Sequence, residues 1–508
     1  MHGYTKRSFH LLAALLLAVP AVLATATEAE ARSADENQEP QVELRHLGTV
    51  PLMIFDETSD SATIHNKTEE GYIDYAWRSF IALNQPAQSS AQGLHPKRGS
   101  DLSDRPVVWE TWPQTGQVFL PSCNWDDYPT WDELQETRPL WPDPTCASPL
   151  PQPRPCPQDG SIVLQAINQP GLSIRHGAVG PLADQTGNYV RYQVGLNRTY
   201  FEYVRANKYY QADRQLPATF EDLPHDLPGK PGMIEYKSAW KVLDSGEDRS
   251  RFYRRKAHFE ALPRPRPSEP LDPPDACTGP KPVGLVAFHI HRRTAFGHVA
   301  MTFEQVDNVE ILEPARLARG AMPSFNPGLF SADPPPYGPR GFQGQKPDLV
   351  SYESCPEQGF NCVTNGPTRN VSRATPLPVR VQQANARYQA LMHRAGSVLQ
   401  HYQLIGVQHA RSDCSRDWVN GKWSPGCPSP NTDVLINAAL ESYTQLVNLQ
   451  GQTQNYSCRG CHQHARPCGV GWDTVEVYEG SLMSYLLSKA KGADTTFDDA
   501  ARGYNCNQ

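Results

Sequence analysis

Residues 232–243 read GMIEYKSAWKVL. Ile234, Tyr236, Ser238, Trp240 and Val242 recur at every second position, and in an extended chain a period of two gathers that mostly apolar set on one face. The stretch predicts a β-strand, and its surroundings predict a sheet. SIVLQAI (161–167), NYVRYQVGLN (188–197), KPVGLVAFHIHRRT (281–294) and HVAMTFEQVDNVE (298–310) are all rich in β-branched and aromatic residues. NRTYFEYVRANKYY (197–210) has a helical pattern. Few connections carry a helix for a parallel crossover, so the pairing is expected to be mostly antiparallel.

Further out the signals change. EEGYIDYAWRSFIALNQP (69–86) sets Ile73, Trp77, Phe80 and Ile81 at helical spacing and stops at Asn84 and Pro86. RPVVWETW (105–112) reads as a short buried strand. Proline-rich breaks at 263–282 and 323–347 read as surface loops. From 378 the pattern is helical: VRVQQANARYQALMHRAGSVLQHYQLIGVQ (379–408), weak at Gly396, then NTDVLINAALESYTQLVNLQ (431–450) and EGSLMSYLLSKAKG (479–492). The expected fold class is α+β. A large mixed, mostly antiparallel β region with helices, residues 32–377, precedes a helical section, residues 378–508.

Residues 1–31 have the three-part layout of a secretory signal peptide: Lys6 and Arg7, an apolar run from Leu11 to Leu23, and small residues ending at Ala26 and Ala31. No other segment approaches a membrane span, so no stable span is expected after cleavage. Export predicts an oxidising compartment in which thiols are paired or ligated. The chain has 12 cysteines. Setting aside Cys458 and Cys461 leaves an even number, so disulfides are expected, with the near neighbours Cys355–Cys362 and Cys414–Cys427 the simplest pairs. A net charge of −7 with no basic stripe gives no footprint for nucleic acid. No phosphate-cradling glycine loop, Gly-x-Ser-x-Gly elbow or His-Glu-x-x-His zinc motif occurs.

The chemistry concentrates in NYSCRGCHQHARPCG, residues 455–469. With 12 Cys and 16 His in 508 residues, chance supplies on the order of 0.01 matches to Cys-x-x-Cys-His. Two intervening residues let Cys458 and Cys461 reach both vinyl groups of a haem from one tight turn, which Gly460 permits. His462 then falls under the iron as proximal ligand. The rival is zinc on Cys458, Cys461, His464 and Cys468, which has suitable donors but leaves the adjacent Cys461-His462 unexplained. One covalent haem c is the expected cofactor.

YAWRSFIALNQP, PVVWETW, GNYVRYQVGLN, IEYKSAWKVL, TFEQVDNV, YQLIGVQ and NTDVLINAALESYTQ, followed by SCRGCH, resemble in their order the phrases of long exported bacterial proteins of the cytochrome c family with a single C-terminal haem site. The resemblance runs from about Tyr72 to Lys489. It implies bacterial origin, export, one covalent haem and no glycans on the sequons at Asn66, Asn197, Asn370 and Asn455; it implies no particular substrate.

A second axial ligand is harder to find. Only 46 residues follow His462, and their one methionine, Met483, falls in an expected helix beside Leu482, Leu486 and Leu487, where core packing is its commoner fate. The other candidates lie earlier: His289, His291, His298, Met301, His401 and His409. His289 and His291 share a face if their segment is a strand. The leading expectation is a periplasmic electron-transfer protein working with a redox partner protein or a small-molecule electron donor or acceptor. The alternative is a haem enzyme, peroxidase- or oxygenase-like, with an open distal site, and a gas-sensing haem protein comes third.

Overall fold

The structure, a computed structural model, describes residues 68–85, 87, 106–118, 128–137, 156, 159–164, 182–210, 223–227, 231–259, 277–294, 297–317, 319–326, 352–355, 360–363, 371, 373, 376–409, 418–419, 422–423, 435 and 437–440. The elements that build the sheet and its helical cover include α1 (Glu69–Leu83), β1 (Ile162–Leu164), β2 (Arg191–Leu196), α2 (Arg198–Ala206), β3 (Ile234–Val242), β4 (Arg254–Phe259), β5 (Thr278–Thr294), β6 (Gly297–Gln305), α3 (Val379–Arg394) and β9 (Tyr402–His409), with a separate hairpin of β7 (Tyr352–Cys355) and β8 (Phe360–Val363).

The 17-residue β5 organises a seven-stranded sheet. One edge pairs with β3, which pairs with β2. The other edge takes β4 on its first half and β6 on its second, and these pair outward with β1 and β9. Every pairing is antiparallel except β1 with β4. β1 also reaches back to β2, where the Gln193 amide donates to the Val163 carbonyl at 3.2 Å. The mixed α/β content and mostly antiparallel sheet agree with the expected class. The helical haem section expected toward the C-terminus lies largely outside the described residues.

The alternation of 232–243 is realised. Tyr236 and Ser238 stand opposite Ile290 and Phe288 on one face, while Glu235, Lys237 and Ala239 stand opposite His291, His289 and Ala287 on the other. A bulge lets Val286 sit between the partners of Ala239 and Trp240, so β5 changes phase there while β3 keeps its own. α1 and α3 cover the first face. The indole of Trp77 stacks on Tyr388 with ring centroids 5.2 Å apart, and Phe80 stacks on Phe303 at 4.2 Å. Asn385 joins three elements: its side-chain oxygen accepts from Trp77 Nε1 at 3.1 Å and Leu404 N at 2.9 Å, and its Nδ2 donates to the Leu404 carbonyl at 2.9 Å.

Three stretches depart from expectation. RPVVWETW forms a 3-10 turn, Val108–Thr111, because the Glu110 carboxylate folds back to accept the Val107 N–H at 3.0 Å. Residues 278–282 belong to β5, not to the proline-rich loop. The helix begun at Val379 ends at Arg394; Gly396 has φ +65 and Ser397 caps a new turn, after which 402–409 is an edge strand on β6. A left-handed glycine followed by a serine cap is a stop signal that outweighs continuing helical periodicity.

Candidate functional site

The face of the sheet opposite α1 and α3 carries buried imidazoles and a buried ion pair. His289 and His291 stand on it together, ring centroids 6.2 Å apart, with 2% and 7% of their surfaces exposed. Lys237 faces His289 across the β3–β5 ladder and Glu235 faces His291. The Lys237 ammonium and Glu235 carboxylate, both buried, lie 3.6 Å apart. On the other side Thr302 faces His289, and Gln408 extends the His291 row through Ala300. Two imidazoles and an ion pair thus occupy one buried strip. Ionised groups removed from water are costly unless paired, and β3 supplies this pair from alternate positions on one strand.

Two elements flank the strip. α2 packs on the β2 edge through Tyr200, Phe201 and Val204 against Val194 and Leu196. Asn197 caps it, accepting from Tyr200 N at 3.0 Å and from Ile234 N at 3.0 Å, which buries this sequon asparagine. The Tyr200 hydroxyl is buried without a hydrogen-bond partner. Burial, then the neighbouring Glu235 carboxylate, push its phenol well above the ordinary range. Nothing in the sequence marks Tyr200 for this position, since it reads as one core aromatic among many.

On the far flank, Leu435 and residues 437–440 lie on the sheet. The Leu435 side chain occupies the space over Gly406, where a Cβ would come within 2.6 Å of its Cδ1. Asn437 Nδ2 donates to Thr302 Oγ1 at 2.9 Å and to the Phe303 carbonyl at 2.8 Å. Ala438 N donates to the fully buried Glu304 at 2.5 Å, and Tyr192 Oη donates to the Ala439 carbonyl at 2.9 Å.

The structure sorts the histidines and methionines picked out from sequence. His289 and His291 come together on one strand face, as expected, and His298 pairs across to Arg293 on that face. Met301 faces Ile290 on the opposite, helix-covered side. His409 is on that side as well, stacked on Tyr72 at 3.6 Å. His401 ends a 3-10 turn, and its carbonyl accepts from Val306 N at 3.0 Å. Cys458, Cys461, His462 and Met483 lie outside the described residues. Among the described residues, no group of three or more His, Cys, Asp or Glu is placed to hold a metal ion by itself, and no helix is long and apolar enough to cross a membrane.

Cys156 and Cys277 form a disulfide, joining the approach to β1 with the start of β5. Of the simplest sequence pairs, Cys355 and Cys362 stand in the β7–β8 hairpin, Cys355 opposite Phe360 and Cys362 opposite Glu353. Cys414 and Cys427 lie outside the described residues.

Comparison with protein-family models, curated proteins and solved structures finds no match to this chain.

Proposed function

We propose that this chain is an exported, periplasmic c-type cytochrome. One haem is held by thioethers to Cys458 and Cys461, with His462 as proximal ligand, and its role is electron transfer to or from a redox partner protein or small molecule. The observation that carries the reading is the Cys-x-x-Cys-His motif itself, which in sequence follows the docked residues 437–440. These end eighteen positions before Cys458 and lie on the sheet face that presents His289 and His291. The donor chemistry suits haem iron: either imidazole can supply a sixth ligand from a segment remote in sequence. Met301 and His409, on the opposite side, are set aside, and Met483 remains the rival ligand from the tail. When bound, the haem supplies a one-electron iron couple. The chain's own residues hold it, exclude water from it and set its ligands.

One feature favours the second reading, a haem enzyme with an open distal site. An electron carrier does not require the buried Glu235–Lys237 pair across the ladder from His291 and His289, whereas such ionisable groups suit an enzyme that moves protons. Optical spectra of the purified, reduced protein with and without carbon monoxide separate the two. A six-coordinate carrier is expected to keep its spectrum under carbon monoxide. A large shift favours the enzyme, and absence of any haem spectrum after production with the c-haem maturation system rejects both.

A further inference from the structure

We propose that the Cys156–Cys277 disulfide is a redox-operated latch: closed, it holds the short strand β1 in the sheet, and reduced by a dithiol it releases β1 and opens a seam between β2 and β4. The latch stands independently of the haem.

β1 is the shortest strand of the seven-stranded sheet, three residues in a parallel ladder with β4. Ile162 and Val163 are half-buried, and only Leu164 is fully covered. So short a pairing, with so little apolar surface removed from water, opens easily unless something else holds it. Three contacts from outside the ladder do so. The Gln193 amide of β2 donates to the Val163 carbonyl at 3.2 Å, so β1 bridges β4 by its backbone and β2 by one side chain. Asp159 turns the chain into β1 by accepting from Ser161 N at 3.0 Å, and its second oxygen accepts from Nε2 of the buried His258 on β4 at 3.0 Å. Three positions before Asp159, Cys156 is bonded to Cys277, which directly precedes β5. The Asp159 side chain is 43% exposed, so water screens its pairing with His258 and the covalent bond is the stronger clasp. Leu164 stands beside its ladder partner Phe259, and Arg191 of β2 sets its guanidinium over that same ring, 5.3 Å from the centroid. All three are buried. Withdrawing β1 leaves Phe259 and Arg191 beside the gap that Leu164 filled, and frees one edge of β4. Cys277 is only half-buried, and access to one sulfur is what thiolate attack requires. A thiolate of the dithiol breaks the S–S bond through a mixed disulfide, which the second thiol resolves. Cys156 and Cys277 take up two electrons and two protons, and the dithiol becomes a disulfide.

The test is hydrogen–deuterium exchange read by mass spectrometry on the full chain in four states: oxidised wild type, wild type reduced with dithiothreitol, Cys156→Ser with Cys277→Ser kept oxidised, and oxidised Asp159→Asn. The double variant separates this bond from the chain's other cysteines. Peptides covering 159–164 report β1, and peptides from β3 and β5 report the rest of the sheet. On reduction and in the double variant, the β1 peptide is expected to exchange about tenfold faster or more while β3 and β5 stay protected over the same labelling time. Reoxidation of the wild type is expected to restore the slow rate. Asp159→Asn is expected to speed β1 less than loss of the disulfide does. Unchanged exchange at 159–164 in the double variant overturns the latch. Loss of protection in β3 and β5 together with β1 in that variant, or its failure to fold, also overturns it, because the bond is then a general staple. If reduction unfolds the wild type through other cysteines, the double variant decides alone. An effect of Asp159→Asn equal to that of the double variant moves the hold to the Asp159–His258 pair and overturns the disulfide as the latch.

Discussion

His289 and His291 stand on one face of β5 with their rings 6.2 Å apart, and each is met across the ladder by one member of a buried ion pair, Lys237 or Glu235. The strip lies between α2 and residues 437–440, on the face of the sheet away from α1 and α3.

The first prediction concerns these imidazoles. On the proposed reading, His289→Ala or His291→Ala shifts the iron from low to high spin, and only the ligating one does so completely. Met483→Leu leaves the spectrum unchanged. A methionine-to-iron charge-transfer band in the oxidised wild type, lost in Met483→Leu, returns the sixth ligand to the tail and makes the histidines structural.

Asn385 is predicted to be a stability determinant independent of any cofactor. Asn385→Ala removes the partner of the Trp77 indole and of both Leu404 backbone groups inside the core. Leaving buried donors and acceptors unmade costs about 3 kcal/mol or more. Urea denaturation of the disulfide-intact chain is expected to show that loss without a change in slope; a change within about 0.5 kcal/mol, the range of ordinary surface substitutions, contradicts it.

Acid should weaken the fold through Asp307. Burial raises its carboxyl, but the Arg251 and Arg316 guanidiniums outweigh burial and hold it below the ordinary carboxylate range. A depressed carboxyl contributes stability that is complete above its unfolded value, about pH 4, and is lost as pH falls through the folded value. Asp307→Asn is therefore expected to cost about 3 kcal/mol at pH 7 and to make the stability profile flatter below about pH 4. Parallel acid profiles for the two proteins contradict the linkage.

The Cys156–Cys277 bond spans 121 residues, so its loss relaxes a long stretch of the unfolded chain. Cys156→Ser with Cys277→Ser is expected to cost about 2–4 kcal/mol. Peptide mapping without reduction should recover the two cysteines joined. Recovery of either as an alkylated thiol contradicts the pairing.

Much of the sheet was legible because its signals are local. The period of two over 234–242, the β-branched run before His289 and the helical stripe through Trp77 and Phe80 each reflect side chains meeting a single core face. What was hidden depends on long-range contact. The Glu235 and Lys237 positions look like a solvated strand face, yet they are buried, with Tyr200 of α2 beside Glu235. The Val286 bulge leaves no mark in an all-apolar run. β9 follows a strong helix, and only the Gly396-Ser397 pair hints at the change. Of the candidate site, the pairing of His289 with His291 followed from strand periodicity alone. Tyr200, Asn437 and Glu304 did not, since each acquires its role from a partner at least thirty residues away.

The most direct test of the central claim is the mass of the intact, mature, denatured chain. One covalent haem on Cys458 and Cys461 predicts a mass above that of the cleaved polypeptide by one haem, persisting through acid–acetone extraction and absent in Cys458→Ala with Cys461→Ala. A wild-type mass equal to the bare polypeptide, from cells that load haem onto another c-type cytochrome, contradicts it.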